Sequence, residues 1–265
     1  MKSWKTGQEK KPGKGIMSKR QSDFIFGIHT VIEAINSGKE IERILVKKGI
    51  QGEFYRELSD LARKMHIPLN MVPVEKINRI TVKNHQGIVA FISPIAYYNI
   101  EEIIPELFEE GKIPLVLILD QVTDVRNFGA IARTAEVAGV NAIVILEKGA
   151  AQINADAMKT SAGALHLIPV CRVKNLATII KFLKSSGIKI IAATEKGEKF
   201  YDEINMVDPI AFIMGSEEFG IRSQLLKDAD EWVKIPQHGR IGSLNVSVAA
   251  GIMIYEAVRQ RRHLL

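Results

Sequence analysis

The sequence predicts an α/β protein whose larger, C-terminal part is an open, mostly parallel sheet. Two observations support this fold class. From residue 114 onward, continuous apolar runs of strand length recur along the chain, and such runs are typical of strands buried on both faces. These runs alternate with helical patterns, and regular alternation of strands and helices is characteristic of parallel sheets. The chain of 265 residues is long enough for a second, smaller domain before this one.

The smaller α/β domain is predicted over residues 21–93. Its second helix, over residues 54–65, has an amphipathic pattern that places Leu58, Leu61 and Met65 on one buried face. The other predicted elements are a short strand or turn at residue 24 followed by a helix to residue 38, strands over residues 41–46, 67–72 and 87–92, and a short helix over residues 74–80.

Two segments flank this domain. Residues 1–20 carry seven lysines and arginines against one acidic residue, whereas residues 21–265 carry 29 of each charge. The high isoelectric point is therefore due to the basic tail over residues 1–20. This tail is predicted to be disordered and either to contact nucleic-acid phosphates or to aid solubility. Residues 94–113 contain five glutamates and one lysine, and they are predicted to form a linker with a short acidic helix.

Composition excludes several classes of protein. Cys171 is the single cysteine, so the chain cannot form an internal disulfide, and a reducing compartment such as the cytoplasm is expected. Because Cys171 lies in a strand-like run, it is expected to be a small core residue rather than a nucleophile. No apolar run reaches the length of a membrane span, and the six histidines lack metal-ligand spacing, so neither a membrane segment nor a metal site is predicted.

The C-terminal domain is predicted over residues 114–265. Ligands of open parallel sheets bind beyond the carboxyl ends of the strands. Loops leave predicted strands at such ends after Asp120, Met214 and Ile235, so the functional groups are expected there. The predicted strands cover residues 114–120, 141–146, 166–173, 188–194, 210–214 and 231–236, and the helices cover residues 130–139, 155–165 and 175–187.

The first of these loops has the sequence N-F-G-A-I-A-R, from Asn127 to Arg133. Asn127 is expected to cap the helix that follows, and Gly129 is expected to allow close approach of the backbone. Arg133 places a long cation on an otherwise apolar helix surface. It must therefore form a structural ion pair, extend into solvent or meet a ligand phosphate.

The second loop, G-S-E-E-F-G, follows a buried strand directly. Gly215 and Gly220 enclose Ser216, Glu217 and Glu218. Glycines allow backbone amides to face a ligand. Taken alone, the segment is equally compatible with a plain turn that carries exposed acids.

The third loop, over residues 236–245, is glycine-rich and polar, and it leads into an almost wholly apolar segment over residues 246–258. A helix that is apolar on all sides is buried on more than one side. Ser243 or Asn245 can cap its start. The segment fits a capped core helix behind a surface loop, and it also fits a ligand site that uses free N–H groups at a helix start. No Asp–His pair accompanies Ser243 at recognisable spacing, so a hydrolase triad is not predicted.

Together, and in this order, the loops resemble the three motifs of the SpoU (TrmH-like) family of RNA ribose 2′-O-methyltransferases. The segment from Asn127 to Arg133 matches N-x-G-x-x-x-R, and the segment from Gly215 matches G-x-E-x-x-G. The segment I-P-Q-H-G-R-I-G-S-L-N-V-S-V-A from Ile235 matches I-P-M-x-G-x-x-x-S-L-N-V-S-x-A. One departure is Gln237, which stands where methionine is usual and is expected to alter the wall of the cofactor pocket.

The smaller domain, predicted over residues 21–93 and called the front half below, is similar to the corresponding part of one branch of this family. The segments F-I-F-G-I-H-T-V-I-E-A and H-Q-G-I-V-A resemble the ribosomal-protein-like RNA-binding domain that precedes the catalytic domain in bacterial large-subunit (23S) rRNA guanosine 2′-O-methyltransferases. The segment N-A-D-A-M-K-T-S-A-G-A also resembles that branch. The resemblance thus implies a guanosine of rRNA as the substrate.

The resemblance implies further properties. The C-terminal part of the sheet would thread through a loop as a trefoil knot of the SPOUT type, and S-adenosylmethionine would be the cofactor. The protein would be a homodimer with active sites between subunits, and Ala249, Ala250 and Gly251 would allow the last helix to pack closely at that interface. The cofactor-binding residues carried over from the family motifs are Gly215, Ile235 and Leu244.

The family motifs also imply catalytic roles. Arg133 would be the catalytic arginine, and because a guanidinium stays protonated, both a general base and a group that orients the hydroxyl or phosphate are considered. Asn127 would order its loop or touch the substrate. Glu217 would orient Arg133 or groups of the loops. Ser243 and Asn245 would fix the third loop near the cofactor.

Two alternatives remain from the sequence. The substrate would be RNA because only RNA offers a ribose 2′-OH, but a tRNA ribose is an alternative to rRNA. A non-catalytic RNA-binding factor in ribosome assembly is the other alternative, and its sign would be the loss of Asn127, Arg133 or Asn245. All three are present.

Overall fold

A computed structural model describes residues 24–262 and contains a separate sheet in each half of the chain. The predicted basic tail lies outside the described residues. The front half forms a four-stranded sheet, in which β2 and β3 are parallel and the other pairs are antiparallel, in the order β1-β4-β2-β3. Its elements are β1 (Phe24–Phe26), α1 (Ile28–Asn36), β2 (Ile41–Lys47), α2 (Glu53–Lys64), β3 (Leu69–Val72), α3 (Val74–Asn78) and β4 (Ile88–Ile92).

One residue of this half was wrongly predicted to be buried in the core. Leu58 of α2 is fully buried, but Met65 is 51% exposed. The helix ends at Lys64, so Met65 follows its last turn and leaves the helical face. Ala62, one turn after Leu58, is buried instead.

The C-terminal half forms the predicted parallel sheet. Its seven strands have the order β7-β6-β5-β10-β8-β11-β9, and every neighbouring pair is parallel. The short strand β9 and the helix α8 were not predicted from the sequence. The elements are α4 (Ile100–Glu109), β5 (Leu115–Asp120), α5 (Val125–Val137), β6 (Ala142–Leu146), α6 (Ala155–Thr160), β7 (Val170–Val173), α7 (Leu176–Ser185), β8 (Lys189–Ala193), β9 (Lys199–Phe200), β10 (Ile210–Gly215), α8 (Ser223–Asp228), β11 (Glu231–Lys234) and α9 (Val246–Arg261).

Helices cover both faces of this sheet, which explains its continuous apolar strands. Alternate residues of a strand point to opposite faces. Leu117 and Leu119 of β5 join the core that lies under α5 and α9. Val116 and Ile118 join the core that lies under α4, α7 and α8. The interior strand β5 is therefore buried along its whole length.

The acidic helix predicted within the linker is α4, and it covers the C-terminal sheet. Ile100, Ile104 and Leu107 are buried against this sheet. Asn99 caps the helix by accepting a hydrogen bond from the backbone of Glu101. The domain boundaries at residues 93 and 113 remain predictions, as does the trefoil knot.

A buried arginine joins the two halves. Arg172 of the edge strand β7 donates to the backbone oxygens of Glu42 and Ile41, at 2.9 and 3.1 Å. Its guanidinium lies 3.9 Å from the centre of the Tyr97 ring and 3.6 Å from the Glu42 carboxylate. Burial, reinforced by that carboxylate, raises the pKa of Tyr97 above its ordinary value, so the Tyr97 hydroxyl stays protonated and donates to Glu42. These contacts fix the front sheet against the edge of the larger one.

Cys171 lies beside this junction and is fully buried, as predicted for a core residue. Burial raises the pKa of its thiol to about 12, so it stays protonated and inert at neutral pH. Within residues 24–262, no helix is both long and apolar enough to span a membrane. Over the same residues, no three metal-ligating side chains come together.

The junction gives a test of stability. We expect Arg172→Ala to lower the free energy of unfolding by about 3–5 kcal/mol, because the change leaves a buried carboxylate without its cationic partner. Arg63→Ala is the matched control, since Arg63 pairs with Asp60 at 3.1 Å but both side chains are about 70% exposed. Its cost should stay below about 1 kcal/mol. Urea unfolding of both variants measures the difference, and equal losses would contradict the role of Arg172.

Candidate active site

The three predicted loops meet at one carboxylate. Glu217 Oε1 accepts hydrogen bonds from Asn127 Nδ2 at 3.2 Å, from Asn245 Nδ2 at 2.6 Å and from the backbone nitrogen of Val246 at 3.2 Å. Asn245 Nδ2 also lies 3.0 Å from Asn127 Oδ1. We call Asn127, Glu217 and Asn245 the Asn–Glu–Asn cluster. It brings together three of the five predicted catalytic residues, one from each loop.

Strand order explains why these loops meet. β5 and β10 are parallel neighbours, and Asp120 at the end of β5 is in register with Gly215 at the end of β10. Their following loops therefore leave the same edge of the sheet. The third loop leaves β11 at this edge and ends where α9 begins, and α9 packs against α5. The prediction that the functional loops share the carboxyl edge is thus confirmed.

The predicted capping role of Asn127 is wrong. Helix α5 begins at Val125, and Asp124 caps it by accepting from the backbone nitrogens of Arg126 and Asn127 at 2.9 and 2.8 Å. The aspartate three residues earlier is an equally good cap and starts the helix sooner. The Asn127 side chain is therefore free to reach Glu217.

At the last helix, Asn245 rather than Ser243 provides the cap. The Asn245 side chain accepts from the backbone nitrogen of Ser247 at 2.9 Å. Ser243 is exposed and makes no hydrogen bond within residues 24–262, so its predicted part in fixing the third loop is not seen in the protein alone.

A second anchor holds the loop after β10. Asp120 is completely buried, and it accepts from the backbone nitrogen of Arg222 at 2.9 Å and from the Arg222 guanidinium at 2.8 Å. Neither residue was among the site residues predicted from the sequence. A carboxylate at the end of an apolar strand is a usable signal, because a buried charge must find a partner.

The second loop is a tight turn that needs glycine at both ends. The backbones of Ser216 and Gly220 exchange two hydrogen bonds, and Gly220 has a φ of +65°. A Cβ atom on Gly215 would lie 2.2 Å from the carbonyl carbon of Gly220. Side chains at Gly215 are therefore excluded by the backbone of the turn itself.

A cavity of about 370 Å³ lies between the second and third loops and the ends of β8, β10 and β11. This volume is within the range of small-molecule sites. The three predicted cofactor-binding residues, Gly215, Ile235 and Leu244, all line it. Gln237 also lines it, as expected for a residue of the pocket wall. Further lining residues are Ser243 and the carboxylates Glu195, Glu217 and Glu218, which make the cavity favourable for a cation.

A second cavity, of about 300 Å³, lies next to the first. The two share the residues of the turn from Ser216 to Phe219 and also Val246. Its other lining residues come from the segment that joins β5 to α5, from the first turn of α5 and from Gly149. They include Gln121, Asp124 and Asn127.

Arg133 is not part of the Asn–Glu–Asn cluster. It lies six residues after Asn127 on α5, which is about 9 Å along the helix and on another face. It is exposed, and among the described residues it forms no salt bridge, so the structural ion pair, one of the three roles considered for it, is not found. Val137, one turn further, is also exposed, so the guanidinium and an apolar side chain share one open face of α5.

The small residues of α9 serve packing within the chain. Ala250 is completely buried in the core, so it does not face a partner subunit as predicted. Gly251 faces α5, where an added Cβ would lie 3.7 Å from Thr134 Cγ2. Val248 and Tyr255 instead form the open side of this helix, and each is about half exposed.

The tight turn predicts a sharp difference between two glycines. Gly215→Ala should lower the free energy of unfolding by about 1–3 kcal/mol, as forced overpacking does, because the backbone of Gly220 must move. Gly239→Ala in the third loop is the control, since its Cβ would meet only the nitrogen of Ile241 at 4.0 Å. Urea unfolding compares the two, and an unchanged Gly215→Ala variant would contradict the tight turn.

Comparisons with known proteins identify the family of this chain. The model of the SpoU rRNA methylase family matches residues 114–255, which is more than half of the chain. A model described as RNA 2′-O ribose methyltransferase substrate binding matches residues 24–98. The chain is 35% identical over 240 residues to a Staphylococcus saprophyticus protein assigned to the TrmH family of tRNA/rRNA methyltransferases, covering 91% of this chain and 96% of the relative. It is 31% identical to YacO of Bacillus subtilis, covering 91% and 97%.

Solved structures are similar as well. The AdoMet-bound rRNA methyltransferase of Sinorhizobium meliloti is 27% identical, with a TM-score of 0.58 over 91% of this chain and 87% of that chain. A TrmH/SpoU tRNA modifying enzyme of A. aeolicus is 29% identical, with a TM-score of 0.53 over 62% of this chain and 85% of that chain. A family model that covers more than half of the chain and a relative that is 35% identical over 91% of it show that the chain belongs to the SpoU (TrmH) family of RNA methyltransferases.

Proposed function

We propose that this protein transfers a methyl group from S-adenosylmethionine to a ribose 2′-hydroxyl of RNA, in the cytoplasm. The observation that carries the proposal is the position of the larger cavity. It is lined by residues of the second and third family motifs, and the Asn–Glu–Asn cluster at its border adds the first motif.

The residues of the cavity fit this cofactor. S-adenosylmethionine carries a sulfonium cation, and the cavity presents the carboxylates of Glu195, Glu217 and Glu218. The volume of about 370 Å³ suits a molecule of this size. Gly215 lines the cavity with its backbone, while Ile235 and Leu244 offer apolar contacts. The AdoMet-bound neighbour from S. meliloti supports the same assignment.

The residues of the chain then have distinct tasks in the reaction. When bound, the cofactor supplies an electrophilic methyl group. Glu217 holds Asn127 and Asn245 so that the three loops keep one geometry around the reacting atoms. Ser243 lines the cavity with a free hydroxyl that can accept or donate a hydrogen bond to a bound molecule. Holding the hydroxyl in line with the methyl group is the main contribution open to such a site, because it removes the entropic cost of alignment.

Arg133 has the features of an orienting cation. A guanidinium group is a poor base, so Arg133 is better suited to hold the attacking hydroxyl or a neighbouring phosphate than to remove a proton. It is exposed and forms no ion pair within residues 24–262, which leaves the charge free for RNA. In its own chain it does not face the Asn–Glu–Asn cluster, which favours a site completed by a second subunit.

We propose a homodimer formed through the open faces of α5 and α9. These faces carry Val137, Val248 and Tyr255, which are exposed by 65%, 50% and 48%. Arg133 lies among these residues on α5. A second copy packed on this surface would bury the apolar side chains and carry its Arg133 toward the loops of the first copy.

A guanosine of 23S rRNA is the substrate that we favour. The front sheet matches a substrate-binding model, and the rRNA methyltransferase of S. meliloti is similar over 91% of this chain. The tRNA modifying enzyme of A. aeolicus is similar over only 62%. A tRNA ribose remains the second candidate, because the S. saprophyticus relative is assigned to a family that acts on tRNA or rRNA.

Transfer of labelled methyl groups tests the function. Purified protein, S-adenosylmethionine with a tritiated methyl group and unmodified transcripts of 23S rRNA or tRNA should give labelled rRNA, and the ribose is then mapped. A transcript with a 2′-deoxy sugar at the mapped position should accept no label, since it lacks the hydroxyl. Labelling of that transcript would show base methylation and would overturn the proposal.

Arg133→Ala should retain cofactor binding and lose at least about 100-fold in kcat, the scale expected when a reacting group loses its alignment. Lys181→Ala is the matched control, because Lys181 is an exposed cation of α7, on the opposite face of the sheet. Isothermal titration with S-adenosylmethionine and single-turnover kinetics separate the two effects. Normal turnover by Arg133→Ala would contradict the assigned role.

Val248→Glu should weaken the dimer by at least about tenfold, because an unpaired charge at a buried contact costs several kcal/mol. The variant should still fold, since Val248 lies in the first turn of α9, where the helix dipole favours an acid. Val82→Glu is the control, as Val82 is 94% exposed in the front half. Analytical ultracentrifugation gives the oligomeric state, and a monomeric wild-type protein would contradict the proposed homodimer.

A further inference from the structure

We propose that Phe219 is the platform on which the base of the target nucleotide stacks, and that the second cavity receives this base. The inference rests on the proposed function, because it assigns a subsite of the same reaction. It concerns the position between the second glutamate and the last glycine of the second loop, which the family motif leaves unspecified.

Phe219 is exposed to an unusual degree for its type and place. Its side chain is 73% accessible, although it lies in the turn that borders both cavities. The turn does not use this side chain for its own folding. Its closing hydrogen bonds run between the backbones of Ser216 and Gly220, and the Phe219 nitrogen donates to Ser216 Oγ at 3.1 Å.

The turn also presents the ring in a fixed position. Gly215 lies so close to Gly220 that an added Cβ would be 2.2 Å from the carbonyl carbon of Gly220, and Asp120 holds Arg222 just after the turn. Glu217, two residues before Phe219, is bound to the first and third loops. An aromatic ring on such a support loses little entropy when a base stacks on it, and aromatic side chains are the usual partners of unstacked RNA bases.

The two cavities have the arrangement that a reacting nucleotide requires. They share the residues from Ser216 to Phe219, so this turn is the wall between them. A ribose placed at the wall can direct its 2′-hydroxyl into the larger cavity while its base enters the smaller one. An enzyme that must hold one hydroxyl in line with a methyl group needs the base fixed on the far side of the sugar.

Charge decides which part of the nucleotide enters. Asp124, Glu217 and Glu218 line the second cavity, and their carboxylates repel a phosphate group. The same carboxylates can accept hydrogen bonds from the N–H groups of a base edge. The volume of about 300 Å³ admits a single nucleoside and excludes a stack of several.

Three substitutions separate stacking from other uses of this side chain. Phe219→Ala and Phe219→Leu should raise KM for the RNA substrate by about 5-fold to 150-fold, the range for loss of one base–aromatic stack. Phe219→Trp should keep KM near the wild-type value because it retains an aromatic face. The dissociation constant for S-adenosylmethionine and the thermal unfolding should stay unchanged in all three, since the side chain is exposed.

A spectroscopic experiment tests the contact directly. An RNA with 2-aminopurine at the mapped position should lose fluorescence on binding to the wild-type protein and to Phe219→Trp. It should not lose fluorescence on binding to Phe219→Leu, which keeps an apolar side chain of similar length without a ring.

The alternatives give different results. Wild-type kinetics in Phe219→Leu would assign an apolar cover and overturn the proposal. Weaker binding of S-adenosylmethionine by Phe219→Ala would assign the ring to the cofactor cavity, and a change of oligomeric state would assign it to a contact between subunits. A wild-type protein that methylates no RNA would refute the proposed function itself, whereas an active wild type with equally active variants refutes only the stacking.

Discussion

The architecture of the candidate site depends on one carboxylate oxygen, Glu217 Oε1. It accepts from Asn127 in the first turn of α5, from Asn245 and from the first backbone nitrogen of α9, and thereby ties the turn after β10 to the starts of α5 and α9. A hydrogen bond to a charged acceptor contributes roughly 1.5–3 kcal/mol when it is shielded, and solvent lowers this value at an exposed position. The contribution is still large beside the entropy of keeping three loops in register. Two further contacts support the same geometry: the hydrogen bond from Asn245 Nδ2 to Asn127 Oδ1 and the pair of Asp120 with Arg222.

The turn that carries Glu217 is itself held from two sides. At the end of the turn, the buried Asp120 binds Arg222. At its start, Gly215 has no side chain, so its backbone can lie close to the backbone of Gly220. A rigid turn of this kind can serve as a wall between two cavities, one suited to a cation and one suited to a base. This site therefore contributes chiefly by holding groups in a fixed geometry before they react, rather than through any single reactive side chain.

The front half takes part through its fixed position. Arg172 binds two backbone oxygens and a carboxylate of β2, and it is buried against Tyr97. Because a buried arginine with several partners resists separation, the front sheet keeps a constant orientation relative to the loops. An RNA bound to that sheet would meet the site at a set distance, which connects the two regions that the family models match separately.

The sequence by itself determined the parallel sheet, the positions of its main strands along the chain and the three loops at its carboxyl edge. Those features follow from local apolar periodicity and from the rule that parallel strands end at one edge. Only the tertiary structure decided which groups meet across long separations. Asp120 and Arg222 form an ion pair although they are 102 residues apart in the sequence. Asp124 caps α5, so the Asn127 side chain donates to Glu217 instead. Ala250 is buried in the core of its own chain rather than at a contact with a partner. Each outcome depends on contacts between distant segments, and a local pattern carries no information about such contacts.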